Sequence, residues 1–165
     1  MNTDEQDIYS RPGHLVRRLQ QIAVAIFMEE TAKYDVTPVQ YSALLAVRNH
    51  AGIDQTSLAK IIALDRSTIG DVVKRLGTKR LVRRAVSAAD RRTKILYVTP
   101  SGRQLLSKVK RAVDAAQNKI VAPLTPKERI EFMRMMHKLV LLNNDHSRVP
   151  LQLSKWAKRD ASCSA

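Results

Sequence analysis

The chain has 165 residues, enough for one domain or for one domain with a dimerisation element. Hydrophobic residues make up 44%, which excludes wholesale disorder, but with one Trp, four Tyr and two Phe the core must be aliphatic. A net charge of +14 points to polyanionic partners, and no apolar run approaches the roughly 20 residues of a membrane span.

In chain order, Pro12 fits the first turn of a helix. Leu15, Leu19, Ile22, Ala23, Ile26 and Phe27 follow at helical spacing, predicting helix 1 to near Tyr34. Thr37-Pro38-Val39-Gln40 reads as a capping box opening helix 2, which ends before Gly52. Asp54 is placed to cap helix 3, with Leu58, Ile61 and Ile62 inward. After Ala63 and Leu64, Asp65 is placed to cap helix 4. In helix 4, Ile69, Val72, Val73 and Leu76 form a buried stripe, with Ser67, Asp71, Lys74 and Thr78 opposite and Thr68, Gly70 and Arg75 at its flanks. Leu81–Ser87 and Ile95–Thr99 are β-rich and predict a hairpin whose tip, Ala88 to Lys94, is basic. Thr99-Pro100 starts helix 5, with Leu105, Leu106, Val109, Val113 and Ile120 on one side, and Pro123 stops it. A second capping box, Thr125 to Glu128, opens helix 6.

The charge is concentrated. Asp54 to Thr99 holds eleven Lys and Arg against four Asp, and Lys79 to Lys94 holds seven against one. A basic cluster inside a structured region is the mark of a phosphate-tracking surface. Short helices followed by a basic hairpin predict a mainly α fold with a small β-hairpin wing: a winged helix-turn-helix plus a helical dimerisation region. Helix 4 is then the recognition helix for the major groove of double-stranded DNA, with the wing arginines near the minor groove or flanking phosphates. On this reading the DNA-binding residues are Arg66, Ser67, Thr68, Asp71, Lys74, Arg75, Asp90, Arg91, Arg92 and Lys94, with Asp90 holding the Arg92 guanidinium in a charge-assisted pair; the bland alternative for Asp90 is turn chemistry.

The stretch Asp90-Arg91-Arg92-Thr93-Lys94-Ile95-Leu96-Tyr97-Val98-Thr99 resembles the wing pattern of the MarR family of regulators. Asp65-Arg66-Ser67-Thr68-Ile69 with Val72-Val73-Lys74-Arg75-Leu76 resembles that family's recognition helix, and Leu81-Val82-Arg83-Arg84 its first wing strand. The order of elements matches from about Arg11 to Asn144. One departure is Arg80, where the family usually has a glycine closing helix 4 in a left-handed turn.

The expected organisation is an N-terminal arm and helix 1 over 1–36, the winged helix-turn-helix over 37–99, helices 5 and 6 over 100–147, and a basic tail over 148–165. Met133, Met135, Met136, Leu139, Val140, Leu141 and Leu142 make helix 6 apolar around much of its girth, as a helix shared between subunits needs, and the resemblance likewise implies a homodimer on a pseudo-palindromic operator. The resemblance also implies release of DNA by a small anion. Arg11, His14, Arg18 and Gln21 step by 3, 4 and 3 along one face of helix 1 and can hold a carboxylate. Ser10 and Tyr41 are further candidates; the bland reading of the stripe is a solvated face. Similarity of Arg11 to Arg18 to members governing aromatic-acid degradation favours an aromatic or N-heteroaromatic carboxylate, with an aroyl-coenzyme A thioester second.

An enzyme is the first rival class. His14, His50, His137 and His146 are scattered without metal-ligand spacing, and no glycine loop is built to cradle phosphate. No cofactor is expected. Cys163, the lone cysteine, lacks the context of a nucleophile, and the resemblance places redox-sensing cysteines in helix 1 instead. A sequence-neutral nucleoid-type or RNA-binding protein is the other rival, against which stands the mixed face of Ser67, Thr68 and Asp71. The polar, acidic start (Asp4, Glu5, Asp7) is unlike a signal peptide, so a cytoplasmic protein without membrane association is expected.

Overall fold

The structure, a computed structural model, describes residues 8–87 and 90–151. Helix α1 spans Pro12–Glu30. It stops short of the predicted end near Tyr34 because the buried Thr31 turns its hydroxyl back onto the Phe27 carbonyl (2.7 Å) and the Val36 carbonyl (3.4 Å). A single 3-10 turn, Ala32–Tyr34, follows, and Asp35 takes a left-handed conformation. Helix α2, Pro38–Asn49, opens with the predicted capping box of Thr37 and Gln40.

The predicted two-stranded hairpin is one part of a three-stranded sheet. A two-residue strand β1, Ile53–Asp54, joins β2 (Val82–Val86) and β3 (Lys94–Val98) in the antiparallel order β1-β3-β2. Ile53 lies opposite Leu96, and Val82 opposite Val98. A strand this short shows no alternation in sequence, which is why the periodicity left it unmarked. Asp54 ends β1 and caps α3, Gln55–Ile61, by accepting from the Thr56 and Ser57 backbone amides.

Helix α4, Arg66–Thr78, buries the predicted stripe of Ile69, Val72, Val73 and Leu76. Arg80 keeps the left-handed turn despite its side chain, with φ of 56°, and the Leu81 amide donates back to the Leu76 carbonyl. Leu44, Val47, Leu58, Ile69, Val73, Leu76 and Leu96 form the centre of the winged-helix core.

Helix α5, Pro100–Ile120, is capped by Thr99 and fixed to that core at its start. A side chain at Gly102 would run into the Leu81 carbonyl oxygen and Val98, so the wing base and α5 approach closely only through a glycine. Further along, Val109, Val113 and Ala116 pack with Phe27 and Val36 in a second, smaller cluster. Lys119 closes this end, its ammonium 3.0 Å from both Glu29 and Glu30. Helix α6, Pro126–Leu142, has its predicted Thr125–Glu128 capping box but no buried residue in the single chain.

Candidate nucleic-acid interface

The outer face of α4 is set by its cap. The Asp65 carboxylate accepts from the Thr68 backbone amide (2.8 Å) and from the Ser67 and Thr68 hydroxyls, both at 2.6 Å. These bonds, the Ser67 hydroxyl first, hold the Asp65 carboxyl well below the ordinary carboxylate range. Ser67 and Thr68 therefore lie on the predicted face, but their hydroxyl protons are committed to the cap. Asp71, Lys74, Arg75 and Thr78 are exposed beyond them. Gln40 and Thr37, at the start of α2, flank the face beside Thr68, Asp71 and Arg75. At the far end Lys79 pairs with the Asp35 carboxylate at 2.9 Å, tying the C-terminus of α4 to the turn after α1.

At the wing the turn reading of Asp90 prevails over the predicted ion pair. Its carboxylate accepts from the Arg92 backbone amide (2.9 Å) and the Thr93 hydroxyl (2.7 Å), not from the Arg92 guanidinium. A carboxylate two residues before an amide in a tight turn satisfies that amide at no cost in side-chain reach, leaving the guanidinium outside. The same bonds, the Thr93 hydroxyl first, lower the Asp90 carboxyl. Arg91, Arg92 and Lys94 are exposed, while Ala88 and Ala89 of the predicted tip lie outside the described residues.

Between the wing and the starts of α3 and α4 runs a groove of about 430 Å³, into which Arg66, Arg84, Arg92 and Lys94 converge beside Gln55 and Thr56. The acid in its wall, Asp54, is engaged by Ser57 and Thr56, and the Ser57 hydroxyl leads in lowering its carboxyl. Four cations surround one internally satisfied carboxylate, so the groove carries a net positive charge of the kind that attracts phosphates. Arg84 is the residue that sequence reasoning missed. Val82 and Arg84 share a face of β2, but Leu81 and Val82 are both apolar and both buried, so the sequence does not say which face meets the helices; in the fold it is the face of Val82 and Arg84. Arg83, on the other face, lies 4.3 Å over the Tyr97 ring.

Of the residues predicted to hold a ligand, Ser10, Arg11, His14 and Arg18 lie together at the start of α1 and Tyr41 stands apart. Ser10, Arg11 and Arg18 are exposed and His14 is half-buried on α1. Arg18 donates to Gln21 at 3.3 Å, and His14 meets the Tyr9 ring edge-on at 5.5 Å. Tyr41 instead packs against Phe27, with ring centroids 6.1 Å apart. Phe27 is 13 residues beyond His14, about 20 Å along a helix, so one protomer does not bring Tyr41 to the Arg11–His14 end. Among the described residues no cluster of His, Cys, Asp or Glu can hold a metal ion, and no helix is long and apolar enough to cross a membrane.

Comparison with known proteins agrees with this geometry. Residues 34–93 match the model of the MarR family. The transcriptional repressor NicR of Pseudomonas putida is 30% identical over 81% of this chain and 85% of its own. The fold is similar to that of BpsR of Bordetella bronchiseptica, whose DNA binding is regulated by 6-hydroxynicotinic acid (28% identity, TM-score 0.74, 79% of this chain and 93% of that one). It is also similar to the repressor CouR bound to a 23-mer DNA duplex (25% identity, TM-score 0.76, 81% and 95%). A recognition helix with a hydrophilic outer face, a cationic wing groove and relatives that regulate transcription lead to one assignment: the chain belongs to the MarR family of winged-helix DNA-binding transcriptional regulators.

Proposed function

We propose that the protein is a repressor that grips a pseudo-palindromic operator as a homodimer and leaves it when a small aromatic or N-heteroaromatic carboxylate binds. The observation that carries the DNA part is the convergence of Arg66, Arg84, Arg92 and Lys94 beside the exposed face of α4. In this arrangement α4 enters the major groove, Arg66, Arg84 and Lys94 follow the adjoining backbone, and Arg91 and Arg92 reach the next groove. Residues 37–99 act as the reading unit, and α1, α5 and α6 as the joining unit.

Dimerisation is supported by apolar side chains that one chain leaves uncovered. Ile130 and Leu142 of α6 are each 73% exposed, and Leu139, Met133 and Val140 lie between them; Leu15, Val16 and Ile22 are exposed on α1. Patches of this kind at the two chain ends are what a shared helical interface covers. A two-fold dimer places its half-sites about 10 base pairs apart.

For the effector, the Arg11–His14–Arg18 stripe supplies two guanidinium groups and an imidazole, and the named ligand of BpsR supplies the chemical class. Tyr41 stands apart from the stripe within one chain, so on this reading the aromatic ring of the effector meets side chains other than Tyr41. Release follows from a difference in effector affinity between the two spacings of the recognition helices; a coupling of about 1–3 kcal/mol changes operator affinity several-fold to a hundredfold. The test is fluorescence anisotropy of a duplex taken from around the protein's own gene, titrated with protein and then with 6-hydroxynicotinate, hydroxybenzoates or their coenzyme A thioesters. Tight binding reversed by one of these is the expected result. Equal binding to any duplex, indifferent to all of them, would favour a sequence-neutral architectural protein.

A further inference from the structure

The recognition helix sorts its hydrogen-bonding groups by polarity. At its start the Ser67 and Thr68 hydroxyls both donate to Asp65. A hydroxyl has one proton, so each can then only accept from a third group. One turn on, Asp71 is exposed, and among the described residues no ion pair or hydrogen bond engages its side chain. An ionised carboxylate also only accepts. Apart from Arg66, which lines the groove beside the wing, the first half of the outer face is therefore built of acceptors, and the donors Lys74 and Arg75 lie in the second half.

An uncompensated carboxylate facing a duplex is costly in affinity, since the phosphates that draw in the rest of the surface repel it. Such a group is tolerable where it meets a donor. In the major groove the exocyclic amine of cytosine is a donor with no acceptor beside it on the same base; adenine pairs its amine with the acceptor N7, guanine offers N7 and O6, and thymine offers O4. A carboxylate flanked by acceptor-only hydroxyls thus fits cytosine best, is less suited to adenine, whose N7 opposes it beside the amine, and is repelled by guanine and thymine. Lys74 and Arg75 suit guanine O6 and N7. The helix advances about 5.4 Å per turn against about 3.4 Å per base pair, so the two preferences fall one or two steps apart.

We infer that Asp71 is a specificity-determining residue that selects a cytosine in each half-site, with the guanine read by Lys74 and Arg75 close by. The inference rests on α4 being the DNA-reading helix. It gives Asp71 a sign opposite to its basic neighbours: it weakens binding to DNA in general and acts through the bases it rejects.

The experiment is binding-site selection from a randomised half-site, using the full-length chain and its Asp71→Ala and Asp71→Asn variants, with affinity for a random duplex measured in parallel. The wild-type protein should prefer cytosine at one position by about tenfold or more. Asp71→Ala should flatten that one position to within about twofold and bind the random duplex more tightly. Asp71→Asn, which keeps the shape and adds a donor, should move the preference toward adenine, whose N6 and N7 suit an amide. Base preferences unaltered in both variants, or a wild-type site with no cytosine preference, would overturn the inference while leaving the regulator reading intact. A wild-type chain that selects no sequence at all would overturn both.

Discussion

The winged-helix region and the helical arms are built from the same aliphatic residues but finished to different degrees. In the winged region Leu44, Leu58, Ile69, Leu76 and Leu96 are fully buried within the single chain, and the caps on α2, α3 and α4 are satisfied by Thr37, Asp54 and Asp65. In the arms, beyond the start of α5 where Gly102 and Leu106 join the winged-helix core, the buried cluster is Phe27, Val36, Val109, Val113 and Ala116 with Thr31 beside it, and α6 buries no residue. On the proposed division, the reading unit has most of its core closed within one chain, whereas the joining unit carries exposed apolar side chains that association would cover.

Paired substitutions at Leu58 and Leu139 test this division most forcefully. Leu58→Ala empties a site with no solvent exposure and should cost about 2–5 kcal/mol in denaturant unfolding. Leu139→Lys, at a residue 55% exposed in the single chain, should leave the fold intact by circular dichroism yet shift the protein from dimer to monomer in sedimentation. Dissociation without unfolding marks the boundary between the units; a Leu139→Lys chain that stays dimeric would move the interface off α6.

The effector reading adds a second contrast, between binding and response. Arg18→Ala should retain operator affinity and lose most of the release by an aromatic carboxylate in the anisotropy assay. A full response would remove Arg18 from the site. On the reading unit, Arg84→Ala should weaken binding to all operator variants alike and reduce the salt slope by about 1, the signature of a phosphate contact rather than a base contact. An unchanged slope would separate the groove from the DNA path.

The smallest effect concerns pH. The Asp65, Asp54 and Asp90 carboxyls are all lowered in the folded chain, chiefly by hydroxyls of Ser67, Ser57 and Thr93. A lowered folded value means the unfolded chain takes up protons first on acidification. The stability these groups contribute is present in full above the ordinary carboxylate range and is lost as pH falls through and below it. Thermal midpoints should be level from neutral to about pH 5 and decline below that. Asp65→Asn, which can still cap α4, should make the decline shallower; an identical acid limb would mean the cap carries none of it.

What could be read in the sequence follows the same division. Elements with strong period or caps were legible: the α4 stripe through Ile69 and Leu76, and the boxes at Thr37 and Thr125, stand where the pattern puts them. Elements fixed by distant partners were not. β1 exists because Ile53 pairs with Leu96, α1 ends early because Thr31 reaches Val36, and Asp90 caps its own turn instead of holding Arg92. The basic cluster was visible as composition, but its assembly into one trough around Arg84 depends on which face of β2 meets the helices.

The central claim is that α4 and the wing groove together grasp one stretch of duplex. Hydroxyl-radical footprinting of the region around the protein's own gene, at moderate salt and with excess random DNA, tests it directly. Two protected half-sites about 10 base pairs apart are expected, with backbone protection beside each that Arg84→Ala selectively weakens. No protection, or protection that random DNA removes, would contradict it.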